Sequence, residues 1–387
     1  MKTPLFVSLV SLAGLAGCGD NHRNASDAGP TVDGGGTQSR AVVVVGDFNP
    51  GDFGALSTLD PATRTVHKSA GPAGAVGSDP VLRHFGHELL IVNRGENNVT
   101  ILDDDTLAFK EQLGTGAGSF AQDVAVSGNK LYVAATGTKG VVVLTRGSTA
   151  TSVIDLSADD PDGFPDCNSV YVVGTQLYVA CGLLTNFHAT VPGKVYVVDT
   201  TNDMVLAPLT VTLTHDNPLG WFERFPASGP HAGDLVIPTV ENFDTAPGCV
   251  ERVAVGAAPA NGGCLVDNAT LGGYAVRTDI EADDDGHIVW TAVAYPKDFS
   301  RGSLRAFDMS LDALRGAQLN PATQQITDVV HCPSGHIVAF DSTFGAPGLR
   351  VYQGTAEITA AALPIGSVVE GLPQHGLVCY QREGSAE

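Results

Sequence analysis

Residues 122–156 read QDVAVSGNKLYVAATGTKGVVVLTRGSTATSVIDL, and they contain four short runs of β-forming residues. Glycine, asparagine, serine and threonine fill the segments between the runs, which is typical of turns. The second and third runs are almost wholly apolar, as in strands that are buried on both faces. The stretch therefore predicts one sheet of four antiparallel strands joined by short turns.

The same unit of four runs recurs along the chain. Clear copies occupy residues 79–113 and 166–209, and fainter copies begin near Asp216, Asp279 and Asp328. A four-stranded sheet of this kind cannot bury both faces alone, so its copies must stack on one another. A four-stranded unit that recurs every 40 to 50 residues or so predicts a β-propeller.

Two terminal fragments complete the ring of sheets. Residues 41–69 contain three runs, and residues 367–381 contain one or two more. Glu370 keeps the register of the repeat that opens at Asp328. We therefore expect an all-β domain over residues 41–387, a seven-bladed β-propeller of four-stranded antiparallel blades with 3+1 closure, in which the last strand completes the first blade.

Several of these repeats resemble the YVTN-type family of seven-bladed propellers. The matching pieces are ELLIVNRGENNVTILDDDTL, LYVAATGTKGVVVL, QLYVACGL and KVYVVDTTNDMVLAPL. The resemblance is good over residues 80–210 and looser elsewhere. It implies the propeller fold, whereas function must be argued from sites, because propellers serve binding, scaffolding and hydrolysis alike.

The first residues resemble the signal of bacterial lipoproteins. Residues 1–17 carry a positive Lys2 and an apolar run that is too short to span a bilayer, and Leu15-Ala16-Gly17 leads directly to Cys18. The resemblance implies cleavage before Cys18 and lipidation of its sulfur, which would anchor the protein in a membrane of the bacterial cell envelope, facing the periplasm or the exterior. An ordinary secretory signal followed by a chance cysteine is the alternative.

Residues 18–40 are predicted to form a disordered, flexible tether after the lipidated cysteine. Residues 19–40 contain one aliphatic side chain larger than alanine, Val32, so this segment cannot bury enough apolar surface to fold. The whole chain carries 42 Asp and Glu against 21 Lys and Arg, a net charge of −21. This charge repels phosphate backbones, which argues against nucleic acid as a partner. The domain is expected to be monomeric.

The cysteine count fits an oxidising compartment. Lipidation of Cys18 would leave six of the seven cysteines, an even number that suggests disulfides. Six cysteines allow 15 pairings, so any connectivity is a hypothesis. A predicted hairpin brings the first two together, the second two bracket a segment rich in Gly, Ala and Pro, and the last two remain. The hypothesis is Cys167–Cys181, Cys249–Cys264 and Cys332–Cys379.

An acidic residue stands near the start of each predicted inner strand. Inner strands line the channel of a propeller, so these carboxylates could form a ring at one mouth. Oxygen ligands of this kind favour Ca²⁺ or Mg²⁺, whereas the alternative is that each carboxylate accepts backbone N–H groups and ties neighbouring blades together. The predicted ring consists of Asp79, Asp123, Asp166, Asp216, Asp279, Asp328 and Glu370.

The loops after the second strand of several blades carry polar and aromatic residues. Aromatic side chains on surface loops are typical of recognition sites, although each ring could instead fill the space under its own loop. The longest insertions fall in blades four to six, and we expect the binding surface there. The predicted binding face consists of Phe48, Phe187, His188, Asn242, Phe243, Phe299, Arg301 and Phe344.

Three functions are compatible with these features. The first is a membrane-anchored extracytoplasmic module that binds a protein, peptide or glycan through one loop-rich face, with a divalent cation at the channel mouth as an option. The second is a metal-dependent, lactonase-like hydrolase. The third is a purely structural component of the envelope. Ligands for the metal of the hydrolase would come from Asp79, Asp123, Asp166, Asn168, Asn217 and Asp328.

Overall fold

The computed structural model describes residues 38–47, 54–241, 247–295, 298–316, 318–366 and 376–382. These residues form seven blades of antiparallel strands arranged as a propeller. The one α-helix among them, α1, is a single turn at Asn268–Leu271. No helix in these ranges has both the length and the apolar character needed to cross a membrane.

Blades one to four follow the predicted repeats. In the first blade, the chain supplies β1 (Ser39–Val45), β2 (Ala55–Asp60) and β3 (Thr65–His67). The second holds β4 (Pro80–Phe85), β5 (Glu88–Asn93), β6 (Asn98–Asp103) and β7 (Phe109–Gly114). The third holds β8 (Ala121–Ser127), β9 (Lys130–Ala135), β10 (Gly140–Thr145) and β11 (Thr151–Asp155). Blade four holds β12 (Cys167–Val173), β13 (Gln176–Cys181), a small hairpin of β14 (Leu184–Thr185) and β15 (His188–Ala189), then β16 (Lys194–Asp199), β17 (Met204–Val205) and β18 (Val211–Thr212).

Blades five to seven vary more in strand length. The fifth has a divided inner strand and holds β19 (Asn217–Pro218), β20 (Glu223–Arg224), β21 (Leu235–Val240), β22 (Gly248–Ala254) and β23 (Ala260–Asp267). The sixth holds β24 (Tyr274–Ala282), β25 (Ile288–Tyr295), β26 (Asp298–Asp308) and β27 (Ala313–Leu314). The seventh holds β28 (Ile326–His331), β29 (His336–Asp341), β30 (Gly348–Gln353) and β31 (Ala356–Glu357). The closing strand is β32 (Leu377–Gln381).

The closure of the ring is as predicted. Strand β32 pairs antiparallel with β1, so the first blade has the order β3-β2-β1-β32. The C-terminal strand is therefore the innermost strand of a blade whose other three strands come from the N-terminal end. Strand β1 begins at Ser39, inside the segment predicted as tether, because Ser39 pairs with Gln381. The predicted signal and Cys18 lie outside the described residues.

The core lies between the blades, in seven apolar clusters that each join two consecutive blades. Strand β9 shows the cause. Its Leu131 and Val133 pack toward blade two, whereas its Tyr132 and Ala134 pack toward blade four. Successive side chains of a strand point to opposite faces, and both faces of a blade are covered. The middle strands therefore read as continuous apolar runs.

The three proposed disulfides are confirmed. Cys167 and Cys181 are directly paired on β12 and β13, as expected for partners in one hairpin. Cys249 and Cys264 join β22 to β23. Cys332 follows β28 and bonds to Cys379 on β32, which fastens blade seven to the closing strand.

A bulge near the start of the inner strand recurs in blades three, four and seven. One residue is left out of the ladder in each case: Gln122, Asn168 and Thr327. The bulge offsets the residues that follow it relative to the turn that precedes the strand. This offset determines whether a predicted acidic residue lies in the turn before an inner strand or within the strand itself.

Candidate functional site

One face of the propeller carries the longer loops, and we call it the loop-rich face. It is formed by the loops that precede each inner strand and by the loops that join the second strand of a blade to the third. Both kinds of loop emerge on this face because the strands alternate in direction. In blade four the second kind of loop is long enough to form its own hairpin, β14 and β15.

Phe187 lies at the tip of that hairpin. Thr185 pairs with His188, so Asn186 and Phe187 form a two-residue turn. Both turn residues have positive φ, +51° and +63°, which is the type I′ geometry that favours asparagine first and glycine second. Phenylalanine is a bulky residue in a backbone conformation that suits glycine. Its side chain is nevertheless 75% exposed, so burial of the ring does not compensate for the strain.

Three further phenylalanines are exposed on the loop-rich face. Phe344, in the corresponding loop of blade seven, is 78% exposed. Phe120 and Phe164 precede the inner strands of blades three and four and are 59% and 47% exposed. Sequence reasoning missed these two, because it searched only the loops after the second strand. The signal was present, since each is a lone aromatic residue in a segment of Gly, Ser, Pro and Asp.

The other predicted residues of the binding face have mixed positions. His188 is exposed on β15, beside Phe187. Phe299 and Arg301 belong to strand β26 and not to a loop, because β26 pairs with β25 as far as Tyr295 and Asp298. The side chain of Phe299 lies outside the described part of the structure. The remaining three predicted residues also lie outside it: Phe48, Asn242 and Phe243.

Asp123 lies at the centre of a buried polar cluster that joins three blades. Its side chain is 1% exposed and forms an ion pair with Arg83 of blade two, with 2.7 Å between Oδ1 and Nε. The other oxygen, Oδ2, accepts hydrogen bonds from Ser169 Oγ at 2.9 Å and the Val170 amide at 3.0 Å, both in blade four. The Asp123 carboxylate therefore ties blades two, three and four together.

Trp221 connects this cluster to blade five. It belongs to the segment between β19 and β20 of blade five, yet its ring packs in the apolar cluster of blades two and three and is 2% exposed. The guanidinium carbon of Arg83 lies 5.1 Å from the centre of the indole ring, a cation–π contact. We call Arg83, Asp123, Ser169 and Trp221 the inner cluster.

The carboxylate of Asp79 lies outside the inner cluster. Asp79 precedes β4 with a φ of +47°, and Asp166 precedes β12 with a φ of +50°. The equivalent residue in blade three is Phe120, also with a φ of +47°. Asp79 forms an ion pair with Arg94, whose Nη1 also donates to Gln122 Oε1 at 3.1 Å. Asp79 and Asp166 therefore lie in the turns that precede their strands, whereas Asp123 follows a bulge inside its strand. The predicted ring is thus divided into two levels, one in the turns and one within the inner strands.

Asp328 matches Asp123 in register. It is 2% exposed, and its Oδ1 accepts the amide of Val329 at 2.8 Å, as Asp123 Oδ1 accepts that of Val124. Asp216 precedes β19 and is half-buried. The side chain of Asp279 and the whole of Glu370 lie outside the described part of the structure. Across the described ranges, no three of the predicted carboxylates bring their oxygens within 4.8 Å of one another, and Ca²⁺ binding by the ring stays a prediction.

One of the two amides proposed as hydrolase ligands, that of Asn168, lies beside the inner cluster. Asn168 Nδ2 donates to the carbonyl oxygen of Gly220 at 2.8 Å, beside Trp221. Asn217 is buried on β19, where it is 5% exposed. The amide of Asn168 thus helps to hold the divided inner strand of blade five against blade four.

On the loop-rich face, the carboxyl group of Asp166 has a pKa well above its ordinary value. Burial, together with the nearby charges of Asp162 and Asp160, raises its pKa to about 7, although a hydrogen bond from the Leu184 amide opposes the shift. Asp160 and Asp162 both accept a hydrogen bond from the amide of Phe164, at 2.8 and 3.0 Å. A carboxyl group with a pKa near neutrality can exchange protons at neutral pH, which is a property of general bases.

Comparisons with known proteins support the fold. No family model and no curated protein matches the chain. Among solved structures, a putative 6-phosphogluconolactonase from Bacteroides fragilis is 12% identical, with a TM-score of 0.58 over 90% of this chain and 99% of that one. A putative 6-phosphogluconolactonase from Bacteroides uniformis is 14% identical, with a TM-score of 0.56 over 89% and 100% of the two chains.

A protein from Lactobacillus plantarum gives a third match of the same quality. It is 14% identical, with a TM-score of 0.57 over 88% of this chain and 99% of that one. Identities this low report on the shared architecture, because one propeller fold hosts many functions. The chain is therefore a seven-bladed β-propeller that is similar in fold to the 6-phosphogluconolactonase-like propellers.

Proposed function

We propose that this protein is a lipid-anchored binding module of the bacterial cell envelope. Cys18 provides the anchor, residues 19–38 separate the anchor from the propeller, and the loop-rich face binds a protein, peptide or glycan. The resemblance of residues 1–18 to a lipoprotein signal and the three disulfides support an oxidising location outside the cytoplasm.

The conformation of Phe187 is the observation that most directly supports ligand binding by the loop-rich face. A bulky residue with positive φ destabilises the turn, and its exposed ring recovers little of this free energy through burial. Glycine at this position would suit the backbone better. A strained and exposed aromatic residue is expected where the ring contacts a ligand.

The chemistry of the face indicates what it binds. Exposed phenyl rings offer flat apolar surface to the C–H faces of sugar rings and to apolar or aromatic side chains of peptides. Asp162 is exposed in the loop that carries Phe164 and adds negative charge to this part of the face, whereas the charge of Asp159 is paired with Lys194. The expected ligand is therefore neutral or cationic and has an apolar side.

The test is a binding screen with glycan and peptide arrays, followed by affinity measurements on Phe187→Ala and Phe344→Ala. Each substitution should weaken binding of the hit by tenfold or more, as expected for aromatic hot spots worth roughly 1.4 kcal/mol or more. Phe109→Ala is the matched control, because Phe109 is 55% exposed but lies on the outer strand β7. Equal affinity of all three variants would refute the assignment of the face.

A second experiment tests the anchor. Metabolic labelling with an alkyne fatty acid should mark the wild-type protein and leave Cys18→Ser unmarked. The variant should also move from the membrane fraction to the soluble fraction, since the acyl chains provide the membrane affinity. Membrane association of the variant without label would contradict lipid anchoring at this residue.

Asp166 favours one alternative, a hydrolase. Its raised pKa suits a general base, and two solved structures of similar fold are putative 6-phosphogluconolactonases. Hydrolysis of lactones, 6-phosphogluconolactone included, should then increase as the pH rises through about 7, and Asp166→Asn should abolish it. No turnover above the uncatalysed rate, with or without added divalent metal, would leave the binding module as the function.

A further inference from the structure

One of the three disulfides differs from the others in exposure. Cys249 is 1% exposed, but its partner Cys264 is exposed on β23. A dithiol reductant attacks a disulfide at a sulfur that it can reach, so this bond is the accessible one. The other two pairs are buried at both residues: Cys167–Cys181 and Cys332–Cys379.

An imidazole lies beside the sulfur of Cys264, the exposed residue of the pair. His215 Nε2 lies 3.8 Å from Cys264 Sγ. The amides of Thr214 and His215 both donate to the carboxylate of Glu251, which is fully buried on β22. Glu251 thereby fixes the chain that carries the imidazole next to the disulfide, as a supporting group does around a metal ligand.

The three side chains have the composition of a metal site once the disulfide is reduced, whereas in the oxidised protein the two sulfurs are bonded to each other. A ring nitrogen of His215 and the two sulfurs lie within 4.8 Å of one another, the one such group of His, Cys, Asp and Glu within the described ranges. In a tetrahedral zinc site, Zn–S bonds of about 2.3 Å and Zn–N bonds of 2.0–2.1 Å place a sulfur and a nitrogen about 3.5 Å apart. The observed 3.8 Å between Cys264 and His215 is close to that separation.

We propose that His215, Cys249 and Cys264 form a redox-gated site for a thiophilic divalent ion such as Zn²⁺. In the oxidised protein the disulfide closes the site. A dithiol transfers two electrons and two protons to the Cys249–Cys264 bond, which breaks to two thiols while the dithiol becomes a disulfide. The ion then binds the two sulfurs as thiolates, releasing both protons, and the neutral imidazole is the third ligand.

Three protein ligands leave one coordination position for water or another small ligand. The exposure of Cys264 leaves the site open to solvent on one side. Thiolate and imidazole ligands favour zinc and similar ions over Ca²⁺ and Mg²⁺, which prefer oxygen. The site is thus chemically distinct from the predicted carboxylate ring.

The first stage of the test is limited reduction of the full protein with dithiothreitol, followed by alkylation and peptide mapping. Cys249 and Cys264 should be labelled roughly tenfold faster than the cysteines of the two buried pairs. Those pairs are internal controls, because they experience the same reductant in the same molecule. Equal or slower labelling of Cys249 and Cys264 would overturn the proposal.

The second stage is titration of the reduced protein with Zn²⁺ and with Co²⁺. We expect one ion per chain and a thiolate-to-cobalt charge-transfer band, neither of which the oxidised protein should give. His215→Gln keeps the disulfide but should weaken Zn²⁺ binding by more than roughly 100-fold, since it removes a direct ligand. Absence of metal binding, or equal binding by His215→Gln, would refute the site.

Discussion

The inner cluster and the loop-rich face use polar and apolar side chains in opposite ways. In the inner cluster a charged pair, Arg83 and Asp123, is almost completely buried and joins the blades. On the loop-rich face, two apolar rings, Phe187 and Phe344, are at least three-quarters exposed. Residue type alone would assign the charges to function and the rings to the core. The structure shows the reverse, because the charged side chains are buried with their partners and the rings are exposed to solvent.

The two regions should therefore respond in opposite ways to substitution. Changes in the inner cluster should lower the free energy of unfolding, because they remove buried contacts between blades. Changes on the loop-rich face should leave stability almost unaltered. Substitutions of Asp79 and Asp166, which are partly buried, should have intermediate effects.

Trp221→Ala should have the largest effect. The indole fills space between blades two and three from a segment of blade five, so its loss leaves a cavity and removes the contact with Arg83. The expected loss is roughly 3–5 kcal/mol in the free energy of unfolding, measured by urea denaturation. A loss below about 1 kcal/mol would show that the ring does not tie the blades together.

Asp123→Asn should have the next largest effect on the free energy of unfolding. The substitution keeps the shape of the side chain but removes the charge that pairs with Arg83 and accepts from blade four. Loss of a hydrogen bond to a charged group predicts a destabilisation of roughly 1.5–3 kcal/mol. Asp79→Asn is the matched control, because the Asp79 side chain is 25% exposed in its pair with Arg94, so solvent screens this pair more and its loss should cost less than that of Asp123. Equal losses in the two variants would contradict the division into two levels.

Asp166→Asn should change the pH dependence of stability. The pKa of Asp166 in the folded protein, about 7, lies above its value in the unfolded chain. The folded state therefore binds this proton more tightly, and the contribution of Asp166 to stability is full at low pH and is lost as the pH rises through about 7. Between pH 5 and pH 8, the melting temperature of the variant should fall less than that of the wild type. Parallel curves would refute the raised pKa.

Substitutions of the exposed phenylalanines should have the smallest effects on stability. Phe344→Ala should change the free energy of unfolding by no more than about 0.5 kcal/mol. Phe187→Gly should be neutral or stabilising, because glycine relieves the positive φ at the turn. Thermal melts of both variants, compared with Phe187→Ala, test this. A clear destabilisation by Phe187→Gly would mean that the ring supports the loop.

The fold could be predicted because its information is local and repeated. Runs such as LYVA in β9 and LLIV in β5 are apolar on both faces, and turn residues separate them at a regular spacing. The incomplete first and last repeats then predicted the closing strand, and the hairpin of blade four predicted the Cys167–Cys181 pair. None of these inferences required knowledge of contacts between distant residues.

The candidate site could be predicted only in part. The hairpin loop with Phe187 was found because a polar-aromatic step interrupts an otherwise regular blade. Phe120 was missed because only the loops after the second strand were searched. Asp123 was grouped with Asp79 because a one-residue bulge alters register without leaving a strong sequence signal. No sequence pattern indicates that Trp221 of blade five packs between blades two and three.

The amino-acid sequence was enough to predict the seven four-stranded blades, since alternation, turn residues and spacing act over a few neighbouring residues, and its incomplete first and last repeats predicted the 3+1 closure. It gave the disulfide pairs only as a hypothesis, of which Cys167–Cys181 alone rests on a local hairpin. The tertiary structure alone decided which carboxylates are buried with a counter-charge and which rings face solvent. It also decided that His215 lies beside Cys264. Burial and partnership depend on which distant strands the ring brings together, and that information does not reside in any single segment of the chain.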